Sequence, residues 1–150
     1  MTIVAERYHD ISCGHRVVGQ GGKCEHLHGH NYRVHFTVVD AIDGTDDVGR
    51  VLDFSEIKSK LCMWIEEHWD HKFLVWDNDP MRETLTHLDP DGVVWVPFNP
   101  TAENMARYLV LEVAPKQLMT TNCMLVKVRI EETAKCSASY ELDDALDGGF

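Results

Sequence analysis

The sequence predicts an α+β fold in which an antiparallel four-stranded sheet is covered on one face by two helices. Three observations carry that expectation. Apolar and polar residues alternate with period two over 9–15 and again over 28–38, as in strands that show every second side chain to a core. Two later stretches, 57–68 and 105–113, carry apolar residues at helical spacing instead. A last alternating run over 125–131 leads through a turn into a further short strand. Strands and helices grouped in this way fit α+β better than an alternating βαβ pattern.

In chain order, 3–16 reads as a strand, with His9, Ile11, Cys13 and His15 alternating against Asp10, Ser12 and Gly14. A loop marked by Gly19, Gly21 and Gly22 follows over 17–27. From His28 to Val38 the residues His28, His30, Tyr32, Val34, Phe36 and Val38 share one face, and Asn31, Arg33, His35 and Thr37 the other. The turn Asp43-Gly44-Thr45-Asp46-Asp47 breaks this run, and Val51-Leu52-Asp53 is expected to complete a hairpin-like pair. Asp53 suits a helix N-cap, with Glu56 in the capping-box position. Ile57, Leu61, Trp64, Ile65 and His68 form one stripe, which stops near Trp69-Asp70-His71. Residues 77–100 are turn-rich, with a short strand candidate from Val93 to Phe98. Thr101 then caps a second helix whose buried stripe is Met105, Tyr108, Leu109 and Val113, and Pro115 is expected to end it. Val126, Val128 and Ile130 mark the next strand, and Glu132-Thr133-Ala134-Lys135 turns the chain into the last, about 136–141.

The chain of 150 residues reads as a single domain with a core, and 142–150 as a frayed acidic tail. Its 44% hydrophobic and 26% charged residues are ordinary for a soluble globular protein. Neither a leader-length apolar stretch nor a run near the ~18 residues of a membrane span occurs, so the expected location is the cytoplasm. A net charge of −11 argues against nucleic acid or an anionic membrane as partner. Five cysteines with no C-x-x-C pair argue against a disulfide framework or a zinc ribbon.

Chemistry concentrates where Cys24, His26, His28 and His30 fall within one short stretch. His28 and His30 project from one strand face, and His15 ends the preceding strand candidate. If those strands are neighbours, three imidazoles converge, and three protein ligands leave the open fourth position of a catalytic zinc site. H-x-H alone is a weak signal, and core or surface placement is the plain alternative for His9, His35, His68 and His87. Cys24 lies beside Lys23 and near the proposed metal, both of which lower a thiol's pKa; it reads equally as a metal-binding or merely exposed thiol. Cys13, Cys62 and Cys123 read as structural, and Cys136 stays undecided. Asp70-His71 pairs a carboxylate with an imidazole it could orient for proton transfer, or Asp70 caps a loop. Glu131 and Glu132 point to opposite faces, and the period does not say which of them faces a pocket. Gly19-Gln20-Gly21-Gly22-Lys23 lacks the Gly-Lys-Ser/Thr ending and does not open a helix, so it is not a nucleotide-phosphate loop.

Taken together, Gly14-His15-Arg16, the run from Cys24 to Tyr32, Leu52-Asp53-Phe54 with Ile57-Lys58, Asp70-His71, Asn99 to Asn104, and Glu132-Thr133 with Tyr140 closely resemble the 6-pyruvoyltetrahydropterin synthase and 6-carboxytetrahydropterin synthase family. The match runs from about residue 8 to 140. The resemblance implies a tunnelling fold whose subunits assemble into barrels, as a homo-oligomer (a hexamer built as a dimer of trimers), with sites at the interfaces. It implies Zn2+ on His15, His28 and His30, proton transfer by Cys24 assisted by Asp70 and His71, and a pterin anchored by Glu132. Glu103 takes a supporting place in the pocket. The three residues between Cys24 and His28 resemble the bacterial 6-carboxy-5,6,7,8-tetrahydropterin synthases of queuosine and 7-deazaguanine biosynthesis. The cysteine disfavours the branch in which a glutamate replaces it and aldolase-like chemistry results.

The activity so implied is conversion of 7,8-dihydroneopterin triphosphate to 6-carboxytetrahydropterin, acetaldehyde and triphosphate. Arg16, Lys23 and Arg33 are the local cations that could meet the triphosphate. Three rivals stand beside it: a 6-pyruvoyltetrahydropterin synthase that eliminates triphosphate without C–C cleavage, a non-catalytic zinc-stabilised pterin-binding module, and zinc hydrolase chemistry.

Overall fold

The computed structural model describes residues 2–143. Its centre is the hairpin of β1 (Ala5–His15) and β2 (His28–Asp40), paired antiparallel from Ala5↔Val38 to His15↔His28. The loop expected over 17–27 is therefore the connection of this hairpin. The segment Val51-Leu52-Asp53 is not a strand. β2 takes its second partner from β5 (Cys123–Glu131), which in turn pairs with β6 (Ser137–Glu141).

The sheet has six strands in the order β4-β3-β1-β2-β5-β6, where four were expected, and it is mixed rather than antiparallel. β3 (Phe73–Trp76), parallel to β1, was not expected, and β4 (Val93–Val96), parallel to β3, falls within the strand candidate from Val93 to Phe98 but joins the same sheet. β3 is a four-residue apolar run without alternation, so its period carries no strand signal. A parallel partner also needs a long crossover, which the segment from 41 to 72 supplies.

The first helical rod consists of α1 (Phe54–Ile57), a π-helical segment Lys58–Cys62, and α2 (Met63–His68). Asp53 caps it, its side chain accepting from the Ser55 N–H at 2.8 Å. Ile57, Leu61 and Ile65 are buried as expected, but His68 is exposed and stacks on Trp64, with ring centroids 4.2 Å apart. Trp69, one residue on, is buried instead. A further helix, α3 (Arg82–Leu88), lies inside the region read as turns; it buries only Leu85, too little for a visible stripe. The last rod runs from α4 (Ala102–Tyr108) through a π-helical segment Leu109–Val113 into α5 (Ala114–Gln117). Thr101 caps it as expected, accepting from the Asn104 N–H at 3.2 Å. Pro115 does not end this rod: it lies in the first turn of α5, where the preceding π segment has already changed the hydrogen-bond register.

The core fills the space between these rods and one face of the sheet. Ile11, Tyr32, Val34, Phe36, Val128 and Ile130 meet Ile57, Leu61, Ile65, Met105 and Leu109 there. A bulge between Thr37 and Val38 shifts the pleat of β2, so Val38 and Val39 are both fully buried, and Val39 packs with Val126. The proposed tail lies outside the described residues from 144 onward; just before it, Leu142 N–H still donates to Val126 O at 2.9 Å. Among the described residues, no helix is long and apolar enough to cross a membrane.

Candidate metal centre and active site

The hairpin register places His15 directly across from His28 and Cys13 across from His30, with Gly14 facing Gly29 between them. All three histidines leave the sheet on the core side, so their rings meet at its end. Ring centroids are 4.5 Å apart for His15–His28, 5.2 Å for His15–His30 and 4.9 Å for His28–His30. One ligand atom from each lies within 4.8 Å of the other two. The glycines make this possible: a Cβ on Gly29 would stand 3.0 Å from the Cys13 carbonyl oxygen.

The hydrogen bonds around the rings set their tautomers. His15 Nδ1 donates to the Pro100 carbonyl at 2.6 Å, and His28 Nδ1 donates to the His26 carbonyl at 2.7 Å. A carbonyl only accepts, so both Nδ1 atoms carry a proton, and in the neutral rings both Nε2 atoms are acceptors; the Tyr32 hydroxyl lies 3.3 Å from His15 Nε2. Those two Nε2 atoms face each other at 3.0 Å. His30 Nε2 is buried with no hydrogen-bond partner, although Glu132 Oε1 lies 3.4 Å away. Burial pushes the His15 pKa down to about 4, the Pro100 carbonyl opposing this and the His28 and His30 rings adding to it. His30 is also lowered, by burial first, against the pull of Glu132 and with the help of His28.

Neutral imidazoles with converging lone pairs and an orphaned nitrogen are the donor set of a cation site. Zinc–nitrogen bonds of about 2.0–2.1 Å at tetrahedral angles put ligand atoms roughly 3.4 Å apart; here His15 and His28 Nε2 are 3.0 Å apart and all three ligand atoms lie within 4.8 Å. These residues could hold a metal ion, and an all-imidazole set suits zinc. His26, the remaining histidine of the stretch, is exposed and contributes only its carbonyl.

Cys24 sits half-buried in a short 3-10 helix, Lys23–Glu25. Gly19 and Gly21 hold the loop before it at φ of 82° and 80°, a left-handed backbone that favours glycine. Cys24 lines a cavity of about 220 Å³ with Glu103, Glu132, Thr101 and Cys136. The two glutamates and the cysteine singled out from the sequence are therefore neighbours, and Glu132 connects their cavity to His30. Glu131 points away, its carboxylate 2.6 Å from His35 Nε2 on the opposite sheet face.

Asp70 and His71 lie away from the Cys24 cavity, although His71 shares a cavity of about 450 Å³ with His30. Asp70 Oδ2 accepts from His71 Nδ1 at 2.8 Å and its Oδ1 accepts from the Ser12 N–H at 2.8 Å. Burial works against ionisation of Asp70, but the Ser12 N–H and His71 outweigh it and hold its pKa below the usual value. His71 has φ 58° and is exposed. Both line a cavity of about 750 Å³ with Ser12 and Asn31, and neither this cavity nor the 450 Å³ one that His71 borders includes Cys24 or Glu132. Within one protomer the Asp-His pair and the cysteine cavity are thus separate.

The other cations and thiols are accounted for locally. Arg16 pairs with Asp79 and Arg33 with Asp10, while Lys23 is exposed. Cys13, Cys62 and Cys123 are buried, and burial pushes the Cys13 thiol up to about 12 and Cys62 up to about 11. Two contributors had no readable signal in the sequence. The Pro100 carbonyl orients His15, and Asn99 clamps the hairpin loop, accepting from the Val18 N–H at 3.1 Å and donating to the Val18 carbonyl at 2.9 Å. Both sit in the segment 99–104, read as a helix start and as part of the family resemblance, with no role given to either residue.

Comparison with known proteins identifies the family. The family model for 6-pyruvoyl tetrahydropterin synthase matches residues 4–143. A 6-carboxy-5,6,7,8-tetrahydropterin synthase of Rickettsia felis is 33% identical over 128 residues, 85% of this chain and 91% of the relative. A 6-pyruvoyl tetrahydrobiopterin synthase of Drosophila melanogaster is 33% identical over 129 residues, 85% of this chain and 66% of the relative. Among solved structures, the uncharacterized protein WS1659 of Wolinella succinogenes superposes with a TM-score of 0.80 at 22% identity, over 95% of this chain and 99% of that one. The 6-pyruvoyl tetrahydropterin synthase of Plasmodium vivax does so at 0.67 and 18%, over 93% and 98%. The fold is that of these proteins, and the chain belongs to the 6-pyruvoyl tetrahydropterin synthase family.

Proposed function

We propose that the protein is a zinc-dependent 6-carboxy-5,6,7,8-tetrahydropterin synthase, a cytoplasmic lyase acting on 7,8-dihydroneopterin triphosphate in queuosine and 7-deazaguanine biosynthesis. The observation that carries this reading is the three-histidine cluster with its unpartnered His30 nitrogen, joined through Glu132 to the cavity of Cys24. Zinc held by His15, His28 and His30 would polarise the hydroxyls of the substrate's side arm and ease loss of the adjacent C–H protons.

The protein's own residues supply the rest. The Glu132 carboxylate accepts hydrogen bonds from the guanidine-like edge of the pterin, with Glu103 at the rim of the same cavity. Cys24 Sγ, as thiolate, removes a C–H proton from the substrate's side arm. Asp70 holds the proton on His71 Nδ1, which leaves His71 Nε2 to exchange protons with the substrate. In this reading two protomers meet in a homo-oligomer, a dimer of trimers as the family resemblance implies, to complete the site; the separate cavities of this pair and of Cys24 support it.

Incubating zinc-loaded protein with 7,8-dihydroneopterin triphosphate tests the reading. Release of acetaldehyde with the 6-carboxy product supports it, and the Cys24→Ala variant should be slower by on the order of a hundredfold or more. Full turnover by Cys24→Ala with zinc still bound would refute the mechanism. The Drosophila relative favours a second reading, in which triphosphate is eliminated without carbon loss; a 6-pyruvoyl product with no acetaldehyde would establish it.

A further inference from the structure

The turn between β3 and α3 contains a carboxylate that none of the foregoing chemistry uses. Asp79 is fully buried, and a buried carboxylate is costly unless its oxygens are paired. Here they are: Oδ2 accepts from Arg16 Nε at 2.7 Å, and Oδ1 accepts from Arg16 Nη2 at 2.8 Å and from the Met81 N–H at 2.8 Å. The Arg16 side chain is itself mostly buried, and its remaining arm, Nη1, donates to the Glu25 carbonyl at 3.3 Å. Glu25 is the last residue of the short helix that carries Cys24. Two further bonds tie that helix to the same strand end, from the Val17 N–H to the Cys24 carbonyl at 2.7 Å and from the Gly19 N–H to Glu25 Oε1 at 2.7 Å.

A buried ion pair is a poor source of net stability and an effective means of fixing geometry. The guanidinium fork makes this pair directional: two arms grip Asp79 and the third reaches the cysteine helix, a division lysine cannot reproduce. We propose that Asp79 is a positioning residue for Cys24, acting through Arg16 to hold the Lys23–Glu25 helix so that the thiol stays at the cavity it shares with Glu132. The kinetic part of this assignment rests on Cys24 being the proton-moving group.

Two variants test it in the zinc-loaded full-length protein. Asp79→Asn keeps the shape and one acceptor but loses the charge, and Arg16→Lys keeps the charge but loses the fork. Three quantities are read: kcat and KM for 7,8-dihydroneopterin triphosphate, zinc content, and the alkylation rate of Cys24 relative to Cys136 by peptide mass spectrometry with iodoacetamide. Cys136 is an exposed thiol lining the same cavity and serves as internal reference. The expected result is a kcat lower by on the order of tenfold to a hundredfold, KM within about twofold, unchanged zinc content, and an alkylation ratio altered at least about threefold. Wild-type kcat with a wild-type alkylation ratio in either folded variant overturns the proposal, as does a loss of zinc that matches the loss of kcat. If Asp79→Asn does not fold, Arg16→Lys decides. Should Cys24→Ala retain full turnover, the reading of Cys24 fails separately, and the alkylation ratio alone still decides whether Asp79 positions the helix.

Discussion

If His15, His28 and His30 hold zinc, the metal should stabilise the folded protein. The metal-free protein holds the His15 and His28 Nε2 atoms 3.0 Å apart and a third, on His30, buried without a hydrogen bond. An unsatisfied buried polar atom costs about 1–3 kcal/mol, and a bound cation removes that cost in the folded state alone. At free zinc a hundredfold above Kd, linkage gives about 2.7 kcal/mol. For a protein of this size each kcal/mol moves Tm by about 2–4 °C, so the expected shift is about 5–11 °C. Differential scanning calorimetry of chelator-stripped protein with and without zinc measures it, with Kd fixed independently by competition. In His30→Ala the affinity should fall at least about a hundredfold, beyond the range seen for outer-sphere partners. At the same free zinc the site is then about half filled, worth about 0.4 kcal/mol, or roughly 1–2 °C. A full shift that survives both His15→Ala and His30→Ala, or no shift in the wild type at saturating zinc, would refute the assignment of these residues as ligands.

Three other outcomes follow from the same geometry. In metal-free protein the His15 pKa lies near 4 in the folded state against an ordinary value of 6.5. The unfolded state therefore binds more protons between those values, and stability should fall as pH drops from about 6.5 to about 4; Tm against pH for wild type and His15→Gln checks this, and parallel curves would contradict it. Gly29→Ala places a Cβ 3.0 Å from the Cys13 carbonyl oxygen, a backbone contact that can yield only by parting the strands. It should cost about 1–3 kcal/mol by chemical denaturation and weaken zinc binding as well, because the His15–His28 rung is the next along. Mixing the inactive variants Cys24→Ala and Asp70→Asn, followed by subunit exchange, should restore part of the activity if two protomers complete one site; no recovery in demonstrably mixed oligomers would place the whole site in one protomer.

What the sequence made legible was whatever repeats with a period. The alternation of β1 and β2 located His15, His28 and His30 on one face, and their register brought them together as expected. Thr101 and Asp53 announced their helices through their capping side chains. The parts that were not legible depend on contacts between distant segments. β3 is four residues long and joins the sheet only through parallel pairing, so its short apolar run carried no signal, while β4 was visible as a strand candidate but not in its parallel place beside β3. Pro115 read as a terminator because the π segment before it is invisible in a 3.6-residue period. At the site, the Pro100 carbonyl is a backbone atom brought to His15 from 85 residues away, and no pattern of side chains encodes such a bond. The Asp70-His71 dipeptide could be read as an acid–base pair, yet only the fold reveals that it opens on a different cavity from Cys24.

The π segment in the first rod carries a consequence for phase. A π turn adds one residue to an α-helix, and each residue corresponds to about 100° around the axis. Everything after Lys58–Cys62 is therefore rotated by roughly that angle relative to an uninterrupted helix starting at Phe54. The rotation is what turns Ile65 and Trp69 inward, and Gln117 Nε2 helps hold it by donating to the Lys60 carbonyl at 2.8 Å. Were the same residues to run as an uninterrupted α-helix, Ile65 would swing by roughly that angle off the core. Asp70 and His71, which leave the rod next, would then arrive at the edge of β1 on the wrong side. The orientation of the proposed acid–base pair is thus set a full rod upstream, by a single extra residue.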